Sequence, residues 1–334
     1  MNDLLFSLNA VFPIILVAAF GFLARKTGVI DEHFVKVGNK FCFKYGFFAM
    51  MFVNIYKIEN LGEIRWNVVL FAVLVVLVLF IIGLFWILFC EKTPNQKGVI
   101  HQAFYRSNYA TIGLPLAFNI IGDEGMILAS LISAFSVPLY NILAVISLST
   151  FNREENKSGD NLAVHVCKEI VKNPLIQGVA LGMFCVAIRP LCGSWRFSTS
   201  NFRFIYKAFD ALGSMAPWLS LIILGGQFQF SAVKKLLPKI IISTFARLIL
   251  APVIGMAMCI FLPPFFGFPH FSPAEYAALF ALFATPEAVA SIAMADQMGG
   301  DSELAGQILV WTTIFSALTL FLFVAFFLLL YKLL

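Results

Sequence analysis

Arg106-Ser107-Asn108-Tyr109-Ala110-Thr111-Ile112-Gly113-Leu114-Pro115 and Ala284-Thr285-Pro286-Glu287-Ala288-Val289-Ala290-Ser291 are the two stretches on which the fold turns. Each sets Gly or Pro and several polar side chains inside a span otherwise apolar enough to sit in lipid. A helix broken there frees backbone N–H and C=O groups that lipid cannot satisfy, so the break must line a cavity or meet another part of the protein. Pro115 and Pro286 lie 171 positions apart, close to half the chain. Interrupted helices at matching places in two halves point to a transporter binding site.

The composition sets the class. The chain is 60% hydrophobic and 12% charged, with 38 Phe, and its mean hydropathy is +0.90. A soluble domain is nearer half apolar and a quarter charged. Runs such as Val68 to Phe89 and Ile308 to Leu330 exceed the roughly 18 apolar residues that mark a membrane span. The expected fold class is therefore an all-α polytopic membrane protein. Met1-Asn2-Asp3 lacks a basic start and the apolar stretch to Ala24 is long, so the first helix is expected to be retained rather than cleaved. The net charge of +5 sits mostly in loops and reports orientation, with no nucleic-acid partner expected. The six Cys form no CxxC and the four His have no metal-ligand spacing.

About ten spans are expected, near 4–24, 35–56, 67–90, 98–121, 125–149, 174–192, 208–228, 237–262, 274–298 and 303–331. The longest polar stretch, Asn152 to Asn173, lies between the fifth and sixth, and its end from His165 to Lys172 reads as a short interfacial helix. The division is then a first five-helix repeat (1–150), a cytoplasmic linker (151–173) and a second repeat (174–334). The halves align at an offset of roughly 160 to 176. Pro13 matches Pro174, Asn67 matches Pro238 as the opening of a span, and Gly122-Asp123 matches Gly300-Asp301. Five spans is an odd number, so the second half enters from the opposite side and the repeat is inverted. Fourteen Lys and Arg fall in one set of loops and seven in the other. The richer set is expected to be cytoplasmic, with both termini outside.

Several polar residues stand out within the spans. A charge such as Arg106 costs about 2.5–3.5 kcal/mol at a helix centre, so it faces a cavity or partner as an anion ligand, or snorkels to the nearby surface. Arg247 either pairs with Glu287 or holds the bundle together, or else serves as a second anion ligand. Asn108 and Thr111 precede the Gly113–Pro115 break, where Pro115 has no N–H for the Thr111 carbonyl. A carboxyl at depth is expensive when ionised, which makes Glu287 a carrier of a proton or ligand of a cation, or else a salt-bridge partner of Arg247 or Lys44. Ser291 follows by one turn and either bonds substrate or caps freed carbonyls. Asn141, near Pro138, bonds a neighbouring helix or lines the site.

Together these features resemble the auxin efflux carrier family, bacterial permeases related to plant auxin exporters. The matching residues are Asn108, Gly113 and Pro115 in the fourth span and Phe135-Ser136-Val137-Pro138-Leu139-Tyr140-Asn141 in the fifth. They continue with Lys172-Asn173-Pro174-Leu175-Ile176 at the start of the sixth. Thr285-Pro286-Glu287-Ala288 through Ser291, then Met298-Gly299-Gly300-Asp301, complete the match. Phe47-Phe48-Ala49 departs from the family's frequent Leu-Pro-Ala. The resemblance implies ten helices in two inverted five-helix repeats, with helices four and nine broken and crossing. It also implies a scaffold of spans one, two, six and seven against a moving domain of the rest, and organic anions as substrates.

The expected function is secondary transport of a small organic anion, auxin-like or dicarboxylate, by alternating access. The expected site is Arg106, Asn108, Thr111, Gly113, Pro115, Asn141, Pro286, Glu287 and Ser291, with Glu287 the ion-coupling candidate. A sodium-coupled transporter of the bile-acid type is the alternative, as is an anion sensor that moves nothing. No cofactor is expected beyond a coupling proton or sodium ion. An enzyme is not expected, because the spans hold no paired Asp cluster, HExxH or Ser–His arrangement. The expected partners are the anion, the lipid bilayer and a second copy through the scaffold. The expected location is the bacterial inner (plasma) membrane.

Overall fold

A computed structural model describes residues 2–57, 65–151, 162–192, 196–199, 202–228, 230–267 and 269–333. The polar stretch 152–161 of the expected linker lies outside them. No strand occurs among the described residues.

The first half runs α1 (Asn2–Lys26), α2 (Glu32–Phe41), α3 (Phe47–Tyr56), α4 (Trp66–Cys90), α5 (Pro94–Tyr105), α6 (Leu114–Ile121) and α7 (Asp123–Phe151). The second runs α8 (Leu162–Lys172), α9 (Pro174–Ile188), α10 (Arg203–Gln227), α11 (Phe230–Phe245), α12 (Ala251–Phe265), α13 (Pro273–Ala284), α14 (Ala290–Gln297) and α15 (Ser302–Leu333). Single π turns join α2 to α3 at Cys42–Gly46 and α11 to α12 at Ala246–Leu250. Helix starts are written in the sequence. Asp31 caps α2 by accepting the Phe34 N–H at 2.7 Å. Ser272 and Glu275 form a capping box on α13, and Pro sits in the first turn of α5, α9 and α13.

Among the described residues, five helices are long and apolar enough to cross a bilayer: Trp66–Cys90, Asp123–Phe151, Arg203–Gly226, Val233–Phe265 and Ser302–Val324. On α4, Leu70, Leu74, Leu77, Ile81, Phe85 and Leu88 are exposed on one face, while Ala72, Val75, Val76, Leu79 and Gly83 are buried on the other. An apolar face without a protein partner suits lipid.

Two of the expected correspondences shift. Pro238 does not open its helix but lies inside α11, which begins at Phe230. The carbonyl that it frees belongs to Lys234, in an exposed turn where solvent can satisfy it. The glycine that takes positive φ like Gly122 (83°) is Gly299 (74°), not Gly300. Asp301 then caps α15 by accepting the Leu304 N–H at 2.9 Å.

Two sets of helix contacts stand out, and they are joined where α1 packs on α15. In one, α1 and α3 pack on α10, and α3 also packs on α9. The backbones approach closely through small residues: a Cβ on Gly21 would strike the Ile222 carbonyl, and one on Gly225 the Ala18 carbonyl. Gly178 likewise admits the Phe48 carbonyl. In the other group, α5 packs on α4 and α7, α13 on α6, α7 and α12, and α15 on α11 and α14.

Candidate functional site

Both broken stretches interrupt their helices as the sequence predicts. Pro286 disfavours helical geometry at the residue before it, and Thr285 is extended (φ −72°, ψ 152°). Arg106 is extended too (φ −87°, ψ 109°), and the chain then passes Asn108 into a π turn at Tyr109–Gly113. The breaks are not copies of one another. Pro286 lies within its break, whereas Pro115 lies past it, in the first turn of α6.

The breaks meet. Ser107 and Glu287 form an antiparallel bridge, and the Asn108 N–H donates to the Pro286 carbonyl at 2.8 Å. The Glu287 N–H faces the Thr312 hydroxyl at 3.4 Å. Freed backbone groups at Asn108, Pro286 and Glu287 are thus satisfied by protein, one of the two ways a bilayer tolerates a broken helix.

Arg106 is buried at this junction. One nitrogen donates to Asn141 Oδ1 at 2.7 Å, and the other to Gln102 Oε1 at 3.2 Å and Met294 Sδ at 3.0 Å. Its head is held inside the protein, so the snorkelling alternative does not hold. Asn141 in turn donates to Met51 Sδ at 3.3 Å. Beside the guanidinium is a chamber of about 40 Å³, lined by Arg106, Ser107, Asn108, Thr111, Tyr140, Asn141 and the residues Ala288, Val289 and Ala290. Its opposite wall comes from the other helix group, through Met50 of α3 and Pro217 of α10. Met50, Ala110, Thr111 and Pro217 also line a cavity of about 870 Å³. Lys57, Arg65, Glu124 and Asp210 line that cavity too, with Lys57 paired to Asp210 at 3.3 Å.

The expected site residues therefore separate. Arg106, Asn108, Thr111 and Asn141 face the chamber. Among the described residues, the Asn108 amide and Thr111 hydroxyl make no side-chain hydrogen bond, while Arg106 and Asn141 are bonded to each other. Gly113, Pro115, Pro286, Glu287 and Ser291 do not line it. Gly113 packs under the Tyr109 ring, and a Cβ there would collide with it. Ser291 Oγ donates to the Ala288 carbonyl at 2.6 Å. The Glu287 carboxyl is wholly buried; beside it lies the Ser291 hydroxyl, which donates instead to the Ala288 carbonyl. The carboxyl makes no ion pair with Arg247, and Lys44 is exposed. Arg106 and Arg247 both lie within electrostatic reach of it.

Arg247 bridges the two broken helices. From its π turn it donates to the Phe104 carbonyl at 3.1 Å and to the Phe283 carbonyl. Gln102, Ser107, Tyr140 and Met294 escaped the sequence reading. Gln102 is four residues before Arg106, the spacing of neighbours on a helix face, so its contact was readable. Met294 lies 188 positions away and left no local signal.

Comparison with curated proteins returns no match. The family model described as Membrane transport protein, that of the auxin efflux carriers, matches residues 6–324. With that match over nearly the whole chain, and with the buried crossing of two broken helices, the protein belongs to the auxin efflux carrier family of membrane transporters.

Proposed function

We propose that this carrier moves a small organic anion by alternating access, with a carboxylate seated where the two breaks meet. One observation carries the reading: a chamber lined by both sets of helices has a buried guanidinium, an amide without a side-chain hydrogen bond among the described residues, and a helix N-terminus on one wall. Arg106 supplies fixed positive charge, Asn108 and Thr111 supply hydrogen bonds, and the main chain at the start of α14 offers the positive end of its dipole. At about 40 Å³ the chamber suits a carboxylate head, and the cavity of about 870 Å³ suits the rest of the molecule. Drug-sized ligand pockets are typically ~300–1,000 Å³. Movement of one helix group against the other would expose the chamber to each side in turn.

An inverted repeat is part of this proposal. Counted as rods, α1, α2–α3, α4, α5–α6 and α7 make five spans, and α9, α10, α11–α12, α13–α14 and α15 make five more. Pro94 and Pro273 each open a helix of 12 residues, an offset of 179 positions. The same offset carries Phe104 to Phe283, both bonded to Arg247. It also exchanges the Ser107–Glu287 bridge with the Asn108–Pro286 hydrogen bond. Contacts that map onto themselves this way support a pseudo-two-fold axis through the crossing. With Lys92 and Lys97 on the cytoplasmic side, both termini and the mouth of the larger cavity lie outside a bacterial plasma membrane. Glu287 is the candidate for a coupling proton, its charged and titratable neighbours being Arg106, Arg247 and Tyr105. The first helix group is the surface proposed for a second copy.

A thermal-shift panel of small mono- and dicarboxylates tests the site, because binding to the native state raises apparent stability. At least one should raise the Tm of the wild type and leave Asn108→Ala unmoved, with the two unliganded proteins melting alike. An equal response in both proteins, or none in the wild type, would remove the site.

A further inference from the structure

We infer that the Arg247 guanidinium occupies the seat of a coupling cation at the crossing, so that this carrier binds no sodium there. The inference deepens the transport reading and rests on it.

The last carbonyls of a helix have no partner within the helix and carry the negative end of its dipole. In carriers with broken helices, such half-helix ends and unwound carbonyls coordinate the coupling cation. Here the two half-helices α5 and α13 end at the crossing. Phe104 and Phe283 are each the next-to-last residue of their helix. Both carbonyls accept from one side chain, Arg247, through its two terminal nitrogens. That side chain is fully buried and leaves its helix within the π turn Ala246–Leu250. The planar fork of a guanidinium presents donors in two directions at once, which a Lys ammonium on a flexible stem does not hold in place. One fixed charge thus satisfies two helix ends from opposite halves of the chain.

Charge balance points the same way. Arg106 is buried at the end of α5, two residues beyond Phe104, and Glu287 is a buried carboxyl within electrostatic reach of both guanidinium groups, though in contact with neither. Like charges a few ångströms apart in a low-dielectric interior repel strongly. A sodium ion brought to these carbonyls would meet Arg247 directly and Arg106 nearby, with one carboxyl to set against two fixed cations.

The test needs sodium alone and no substrate. Purified protein in detergent is melted at constant ionic strength in sodium, potassium or choline chloride. The wild type should melt at the same temperature in all three. R247Q and R247A, which empty the seat, should melt lower in choline and recover part of the loss saturably in sodium but not in potassium. R247K, which keeps a charge, should stay indifferent to sodium. A saturable, sodium-specific rise in the wild type would overturn the inference whatever the variants do. So would a folded R247Q or R247A indifferent to sodium, because Arg247 would then be only a structural tie. Failure here is distinguishable from failure of the transport reading, which Asn108→Ala tests with carboxylates.

Discussion

Arg106 is held by groups from three places: Gln102 on its own helix, Asn141 on α7 and Met294 on α14. Asn141 makes the shortest of these contacts, so its removal leaves a buried charged donor short of an acceptor. Asn141→Ala should lower stability by about 1.5–3 kcal/mol, the range for a hydrogen bond to a charged group, read from denaturation in detergent. Asn141→Asp should keep the fold but pair with Arg106, and so abolish the carboxylate-induced shift. A variant as stable as the wild type in the first case would show that the guanidinium finds other partners. At this scale the sequence was informative where the chemistry is local. Thr285 is extended because proline follows it, and Arg106 was visible as a charge inside an apolar span. Glu287 was visible too, but its position outside the chamber depends on an isolated backbone bridge to Ser107 across 180 positions.

The elements show where one sequence cue is enough and where it is not. Breaks marked by Gly, Pro and clustered polar residues were legible. The π turns at Cys42–Gly46 and Ala246–Leu250 were not, because a widened turn inside an apolar run barely disturbs its pattern. Yet the second of these turns positions Arg247. The contact of α1 with α10 is equally silent in hydropathy, although it depends on Gly21 and Gly225, where each backbone meets a carbonyl of the other helix. Gly225→Leu forces the helices apart and should cost about 1–3 kcal/mol as overpacking, seen as a lower Tm. An exposed change on the same helix, such as Trp218→Leu, should be nearly silent. Equal losses from both would show that the close approach does not hold this group.

At the scale of the molecule, ion pairs tie the two chain halves together at both ends of α4. At its start, Arg65 pairs with Glu275 of α13 at 3.2 Å. Just past its end, Glu91 pairs with Lys239 of α11 at 2.8 Å. Burial acts to raise the Glu91 carboxyl, but hydrogen bonds from Lys239 and Thr93 outweigh it and hold the group below its ordinary 4.5. A depressed folded value means that this contribution is complete above the ordinary carboxylate range and is lost as pH falls through the folded value. The Tm should therefore drop on acidification below about 4.5, and Glu91→Gln should flatten part of that drop. A variant with the full acid dependence of the wild type would exclude Glu91. Hydropathy made the membrane class legible at this scale, but the grouping of helices was not, because these pairs join residues more than a hundred positions apart. The central claim is that the meeting of the two breaks is the transport site. Its most direct measurement is uptake, into proteoliposomes, of the labelled carboxylate that most raises the Tm. The account predicts saturable uptake by the wild type and background uptake by Asn108→Ala of unchanged Tm. Equal uptake by the two proteins would contradict it.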